Sequence, residues 1–243
     1  MKLPWQKRAS VILAVFVAAA AIRSGIILYE RRQSLPQKQA PEASYQPTAD
    51  DYVYRRKIYA DDVKSAASEL RGKAVWVAAG NQLPYYPYSA ATHHVDFRHE
   101  AGLLPPLEKL EITDVMFAEQ PPKGSDTQVM AIFQRQAAEE KYAVSIGAES
   151  NGNYRFIAND IFFLDDPHIL YNYWPADIWT AIDRHEVKPG MNELQAGFAL
   201  GTAARASPGQ IGDRTVKYAN AGKPVKVTFV NNRAVEVTRE TQP

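Results

Sequence analysis

The chain has 243 residues, 46% of them hydrophobic and 23% charged, with 28 Lys and Arg against 27 Asp and Glu. A net charge of +1 leaves no electrostatic footprint for nucleic acid, so no nucleic-acid partner is expected. Without a single cysteine, the chain is excluded from disulfides, thiol catalysis, Fe–S ligation, thiolate zinc sites and a lipid-modified N-terminal Cys.

Ala9–Leu28 (ASVILAVFVAAAAIRSGIIL) has the length and apolarity of a spanning helix, which needs about 20 such residues. Lys2, Lys7 and Arg8 precede it, as expected for a cytoplasmic N-terminus. Arg23 is its defect. A central cation costs about 2.5–3.5 kcal/mol, but one near the end can reach the interface. The expectation is a single-pass membrane protein, anchored to the lipid bilayer through Ala9–Leu28, with an extracytoplasmic body. A cleaved signal peptide, with an A-x-A-like site in Ala18–Ala21, would make the body secreted instead.

Glu30–Asp50 carries Pro36, Pro41 and Pro47 among several Gln and reads as an extended spacer. Asp61–Leu70 places Val63, Ala66, Ala67 and Leu70 at helical spacing, with Asp61 to cap it and Gly72 to end it. Strand patterns follow at Ala74–Ala79, Leu110–Ala118, Gln128–Gln134, Lys141–Ala148 and Tyr154–Ala158. In Leu110–Ala118 the pairs Leu110/Ile112 and Val115/Phe117 are out of phase, which predicts a bulge near Thr113. Ser150-Asn151-Gly152-Asn153 is a hairpin turn, and Ile161–Leu164 is a short apolar run before the Asp165-Asp166-Pro167 turn. Asn81–Pro106 reads as irregular. Short strands with tight connections predict a small, SH3-like β barrel over residues 51–173.

Residues 174–243 carry a different pattern. Pro175 opens a helix with Ile178, Trp179 and Ile182 on one face, and Pro189-Gly190 breaks it. Asn192 and Gln195 form a capping box for a second helix, which Gly201 closes. Strands are expected at Arg214–Ala219, Val225–Val230 and Ala234–Thr238, the last two joined by Asn231-Asn232. The fold class is therefore α+β: an N-terminal transmembrane helix (1–29), a linker (30–50), the barrel, and a two-helix, three-strand antiparallel α/β sandwich.

The run Val187-Lys188-Pro189-Gly190-Met191-Asn192-Glu193-Leu194-Gln195, followed by Leu200-Gly201, Tyr218 and Val225–Val235, resembles the small outer-membrane assembly lipoproteins of the SmpA/OmlA type. The fold so implied is also similar to that of β-lactamase inhibitor proteins. The resemblance implies a protein-binding or scaffolding module of a bacterial envelope, without catalysis.

Three constellations stand out. Tyr85, Tyr86 and Tyr88 interleave with Pro84 and Pro87 as an aromatic-proline strip suited to an extended peptide or a sugar. In an extended chain their side chains alternate, so at least one ring is expected outside, and all three are candidate partner-binding residues. Thr92–Glu100 collects His93, His94, Asp96, His99 and Glu100, which supply imidazole and carboxylate groups for a metal without matching an established spacing. Asp165-Asp166-Pro167-His168 pairs carboxylates with a His, but in ordinary turn chemistry. His185 suits the end of a helix. No phosphate loop, nucleophile elbow or dinucleotide fingerprint is present. The expectation is a periplasmic, non-enzymatic interaction or scaffolding protein without cofactor, whose partner is another envelope protein or a cell-wall polymer. The alternative is a metal-dependent hydrolase using Thr92–Glu100.

Overall fold

The computed structural model describes Arg23 and residues 47–119, 127–135 and 139–240. The chain divides into two units, Met1–Thr48 and Ala49–Pro243, and the second carries both sheets. It opens with a 3-10 turn (Ala49–Tyr52) and an extended strap that leads to α1 (Val63–Leu70). Asp62 caps α1, accepting from the Ser65 N–H while the Ser65 hydroxyl accepts from the Asp62 N–H. The cap is one residue later than expected.

The large sheet holds nine antiparallel strands: β1 (Ala74–Val77), β2 (Pro84–Ser89), β3 (His94–Val95), β4 (Gly102–Leu103), β5 (Lys109–Ala118), β6 (Thr127–Arg135), β7 (Lys141–Ser150), β8 (Asn153–Phe156) and β9 (Phe162–Phe163). Their order is β3-β2-β7-β6-β5-β1-β9, with β4 on β2 and β8 on β7. The β5–β6 register shifts between Ile112 and Asp114, so the bulge sits at Thr113 and returns Val115 to the core side. Asn151 and Gly152 both have positive φ, 53° and 80°, as a type I′ turn demands.

Two single-turn helices follow, α2 (Ala158–Ile161), packed on the large sheet, and α3 (Pro167–Leu170), and the second layer then runs through α4 (Ala176–Asp183) and α5 (Glu193–Leu200). The Asn192–Gln195 capping box of α5 is formed in both directions. A four-stranded sheet follows: β10 (Ala203–Ala206), β11 (Thr215–Tyr218), β12 (Val225–Val230) and β13 (Arg233–Arg239), adjacent in chain order.

One core lies between α1 and the inner face of the large sheet, around Leu70, Val75, Leu110, Phe133 and Ile146. Another lies between α4, α5 and the small sheet, around Trp174, Trp179, Phe198, Val227 and Phe229. A third, smaller cluster of Val95, Met130, Ile132 and Ala143 covers the outer face of the large sheet. β6 is consequently apolar on both faces, Val129, Ala131 and Phe133 inward and Met130 and Ile132 outward.

These findings correct the expected fold. The molecule is mostly β rather than α+β. The SH3-like barrel is instead an open sheet, because its terminal strands β3 and β9 do not pair. The sheet is wide because the stretch read as irregular contributes β2, β3 and β4. The three-strand sandwich has a fourth strand, the Ala-rich β10, which carries no strand alternation. The single-pass expectation is also corrected. Among the described residues no helix is long and apolar enough to cross a membrane. The longest helices lying wholly within the described residues have eight residues, about 12 Å at 1.5 Å per residue against about 30 Å of hydrocarbon. The transmembrane and signal-anchor readings fall with it. Ala9–Leu28 itself lies outside the described residues except for Arg23.

Candidate site on the outer face of the large sheet

β2 is rich in proline and, among the described residues, has only two short strands on its outer side. Tyr85 to Pro87 pair with Tyr142 to Val144 of β7, and the short β3 and β4 take up its other side at opposite ends. Proline tolerates such a place because a ladder N–H is not required at every edge position. The strand's alternation then sorts the tyrosines. Tyr85 points inward and is 7% exposed. Its ring meets Phe133 and Tyr142 edge-on at 5.9 and 5.1 Å, and its hydroxyl accepts from Arg135 Nη1 at 3.1 Å. Arg135 in turn donates through Nε to Glu108 at 2.6 Å. Tyr85 is therefore a core residue, a correction to its place among the partner-binding candidates.

Tyr86 and Tyr88 lie on the outer face, partly buried against Val95, Met130, Ile132 and Ala143. Tyr86 packs on Phe97 with centroids 5.1 Å apart, and Tyr88 shares a 3.0 Å hydrogen bond with His93 Nδ1. Burial raises both phenol pKa values, with Glu100 reinforcing the shift at Tyr86 and Asp114 at Tyr88.

The segment after β2 folds back over this face and brings the two sequence candidates together. Pro87, Tyr88, His94, Asp96, Phe97 and His99 line a cavity of about 660 Å³ with Ser89, Val95, Arg98 and Glu119. Asp96 orders the loop. Its Oδ2 accepts from His99 Nδ1 at 2.7 Å and its Oδ1 from the Arg98 N–H at 3.1 Å. These bonds, the His99 one foremost, hold its carboxyl below the ordinary carboxylate range. His93 is driven into the left-handed region, φ 51°, at the turn between β2 and β3.

The same geometry limits the chemistry available. Among the described residues no three His, Asp or Glu side chains converge as a metal site. The His99–Asp96 pair has the form of a base and its orienter. Among the described residues, however, no hydroxyl is bonded to His99, and Ser89 Oγ is occupied by the Thr92 N–H at 3.4 Å. The other His–Asp grouping is structural. Asp166 caps α3 through the His168 N–H, Asp165 pairs with Arg56, and the His168 ring stacks on Trp179 at 4.1 Å between Asp166 and Asp183. His185 donates Nδ1–H to the Ala199 carbonyl at 3.1 Å, just beyond α4.

Sequence reasoning missed the apolar cluster beneath the site. Its signal was in β6, where VMAIF is too continuous for a strand with one wet face. It also missed Asp50, whose carboxylate accepts from Tyr173 OH at 2.6 Å, Trp174 Nε1 at 2.8 Å and Asn192 Nδ2 at 2.7 Å. Comparison with protein-family models, curated proteins and solved structures finds no match.

Proposed function

We propose that the chain is a non-enzymatic interaction module and that the outer-face cavity is its recognition site, for an extended, proline-containing segment of a partner protein. The carrying observation is the convergence of Tyr88 and Phe97 with His94, His99, Asp96 and Glu119 around one aromatic-floored groove. Rings set beside a groove take the flat faces of an extended peptide, while imidazole and carboxylate groups at the rim fix its polar atoms. The Tyr88 ring stands on the sheet, the Phe97 ring on the turn folded over it, and an aromatic ring loses little entropy on binding. The likeness of Val187–Val235 to small assembly lipoproteins supports the same class of function.

The test is photocrosslinking capture from the native host with the full chain, followed by titration of the captured segment as a synthetic peptide. Tyr88→Ala should weaken binding by about 2 kcal/mol, roughly thirtyfold, and Tyr86→Ala by less, with Tm little changed. Unchanged affinity in Tyr88→Ala, or capture of a polysaccharide in place of a protein, overturns the reading.

A further inference from the structure

A second cavity, of about 450 Å³, lies at the junction of the two sheets, apart from the outer-face site. Its walls come from six separated stretches: Asn81, and Pro105 with Pro106, from the loops of the large sheet, Arg184 to Val187 after α4, Leu200 at the end of α5, and the 220–225 and 237–240 segments of the small sheet. The inner wall is apolar, with Pro105, Pro106, Val187, Leu200 and Val225. Arg184, Lys223 and Arg239 stand on the lining as cations, and Glu186 and Glu240 as anions.

We propose that this cavity binds a small organic anion, a carboxylate carried on an apolar body. Three observations converge on that ligand. The first is charge. Both lining carboxylates are engaged, Glu240 by Lys217 at 2.5 Å and Glu186 by Arg239 at 4.0 Å. Among the described residues this leaves the side chains of Arg184 and Lys223 without an ion-pair partner. A guanidinium and an ammonium beside an apolar wall match a carboxylate head on an apolar body, and the guanidinium fork binds such a head bidentately.

The second is size. The volume falls within the ordinary range for small-molecule sites, about 300–1,000 Å³. The third is backbone conformation. Asn81, His185, Asn220 and Ala221 all line the cavity and all have positive φ, 61°, 55°, 44° and 51°. Of the nine such non-glycine residues described, Asn151, Asn231 and Asn232 are explained by hairpin turns. His185 follows the C-cap of α4, and Asn220 and Ala221 lie in the β11–β12 hairpin connection, so ordinary turns bring these residues to the lining. Turns of this kind keep their shape where side-chain bonds hold them. Here the bonds are visible: Asn81 Nδ2 donates to the Leu200 carbonyl at 2.9 Å, His185 is pinned to Ala199, and Asn220 Nδ2 donates to the Lys223 carbonyl at 3.2 Å. The cavity's shape is thus fixed before any ligand arrives, which lowers the ordering cost of binding.

The test is isothermal titration of the full chain with octanoate and with 1-octanol, which share the apolar body and differ in the charge. Octanoate should bind saturably and at least tenfold more tightly than octanol, and added salt should narrow the gap. Arg184→Gln and Lys223→Gln should each reduce octanoate affinity about tenfold. Both residues are on the surface, and an unchanged Tm certifies the fold. Tyr88→Ala, in the other cavity, should leave octanoate binding unchanged, so failure here is distinct from failure of the peptide site. Absence of saturable octanoate binding, equal affinity for octanol, or indifference to both substitutions overturns the proposal.

Discussion

The strands of the small sheet are neighbours in space in the order they occur in the chain, each joined to the last. In the large sheet only part of the order is sequential. β2 lies against β7, and β1 lies between β5 and β9. The small sheet can be assembled from turns and caps within about forty residues, whereas the large one needs pairings across fifty residues or more, at a higher loop-closure cost. The difference teaches that local signals specify one sheet and burial specifies the other.

The largest expected effects test whether two sheets made so differently still melt together. Phe133 and Phe229 are both essentially inaccessible, one in each core. Either Phe→Ala change should cost about 3–5 kcal/mol, the sum of lost transfer energy and the cavity left behind. The cores touch: Phe163 of β9 meets Phe198 of α5 at 5.4 Å, and Trp76 and Ala78 of the first layer pack on the second. Each substitution should therefore lower hydrogen-exchange protection in β6 and in β12 alike. Loss of protection confined to one sheet would show two independent folding units.

A smaller effect is expected at Asp50, which joins the strap to the second layer through three donors. Hydrogen bonds to a charged group contribute roughly 1.5–3 kcal/mol each in isolation, but these share one carboxylate at a partly exposed site. Asp50→Ala should cost about 2 kcal/mol in urea unfolding, and Asp50→Asn about half of that. A neutral Asp50→Ala would mean that the strap is held by its other contacts, Arg55–Phe163, Arg56–Asp165 and Ile58–Asn159 among them.

The comparison also explains what could be read in advance. The Asn192–Gln195 box, the Asn231-Asn232 turn and the Thr113 bulge each depend on residues within a few positions of one another, and each was legible. β2 was not. Pro84-Tyr85-Tyr86-Pro87-Tyr88 has no strand alternation, and it becomes a strand only because β7 supplies the ladder. β10, with Ala203, Ala204 and Ala206, has no apolar face of its own. At the candidate site the residue types were visible, but their convergence was not. Tyr88 and His99 meet through the fold-back of one loop, and Tyr85 is removed from them by the pleat. Asp50 reads as the end of a spacer because its three partners lie more than 120 positions away.

The last test lies at the joint between the sheets, where two residues share a positive φ and should respond to glycine in opposite directions. Ala221 has φ 51° and ψ 43°. For an L residue with a Cβ that conformation costs roughly 1–2 kcal/mol. Glycine removes the cost but adds roughly 0.4–1 kcal/mol of unfolded-state entropy. Ala221→Gly should therefore gain a few tenths of a kcal/mol, up to about 1. Asn81 has φ 61°, but its short polar side chain already eases the left-handed region, so glycine relieves little there. It also removes the Nδ2 bond to the Leu200 carbonyl, which ties the large-sheet loop to the end of α5. Leaving a buried acceptor without that donor costs roughly 1–3 kcal/mol. The neighbouring backbone gives no slack to recover it, since a Cβ on Gly201 would lie 2.3 Å from the Gly80 carbonyl oxygen. Asn81→Gly should therefore destabilise, and the two variants should move Tm in opposite directions. A loss of stability in Ala221→Gly, or a neutral Asn81→Gly, would show that the joint is held by apolar contact between the cores and not by its backbone.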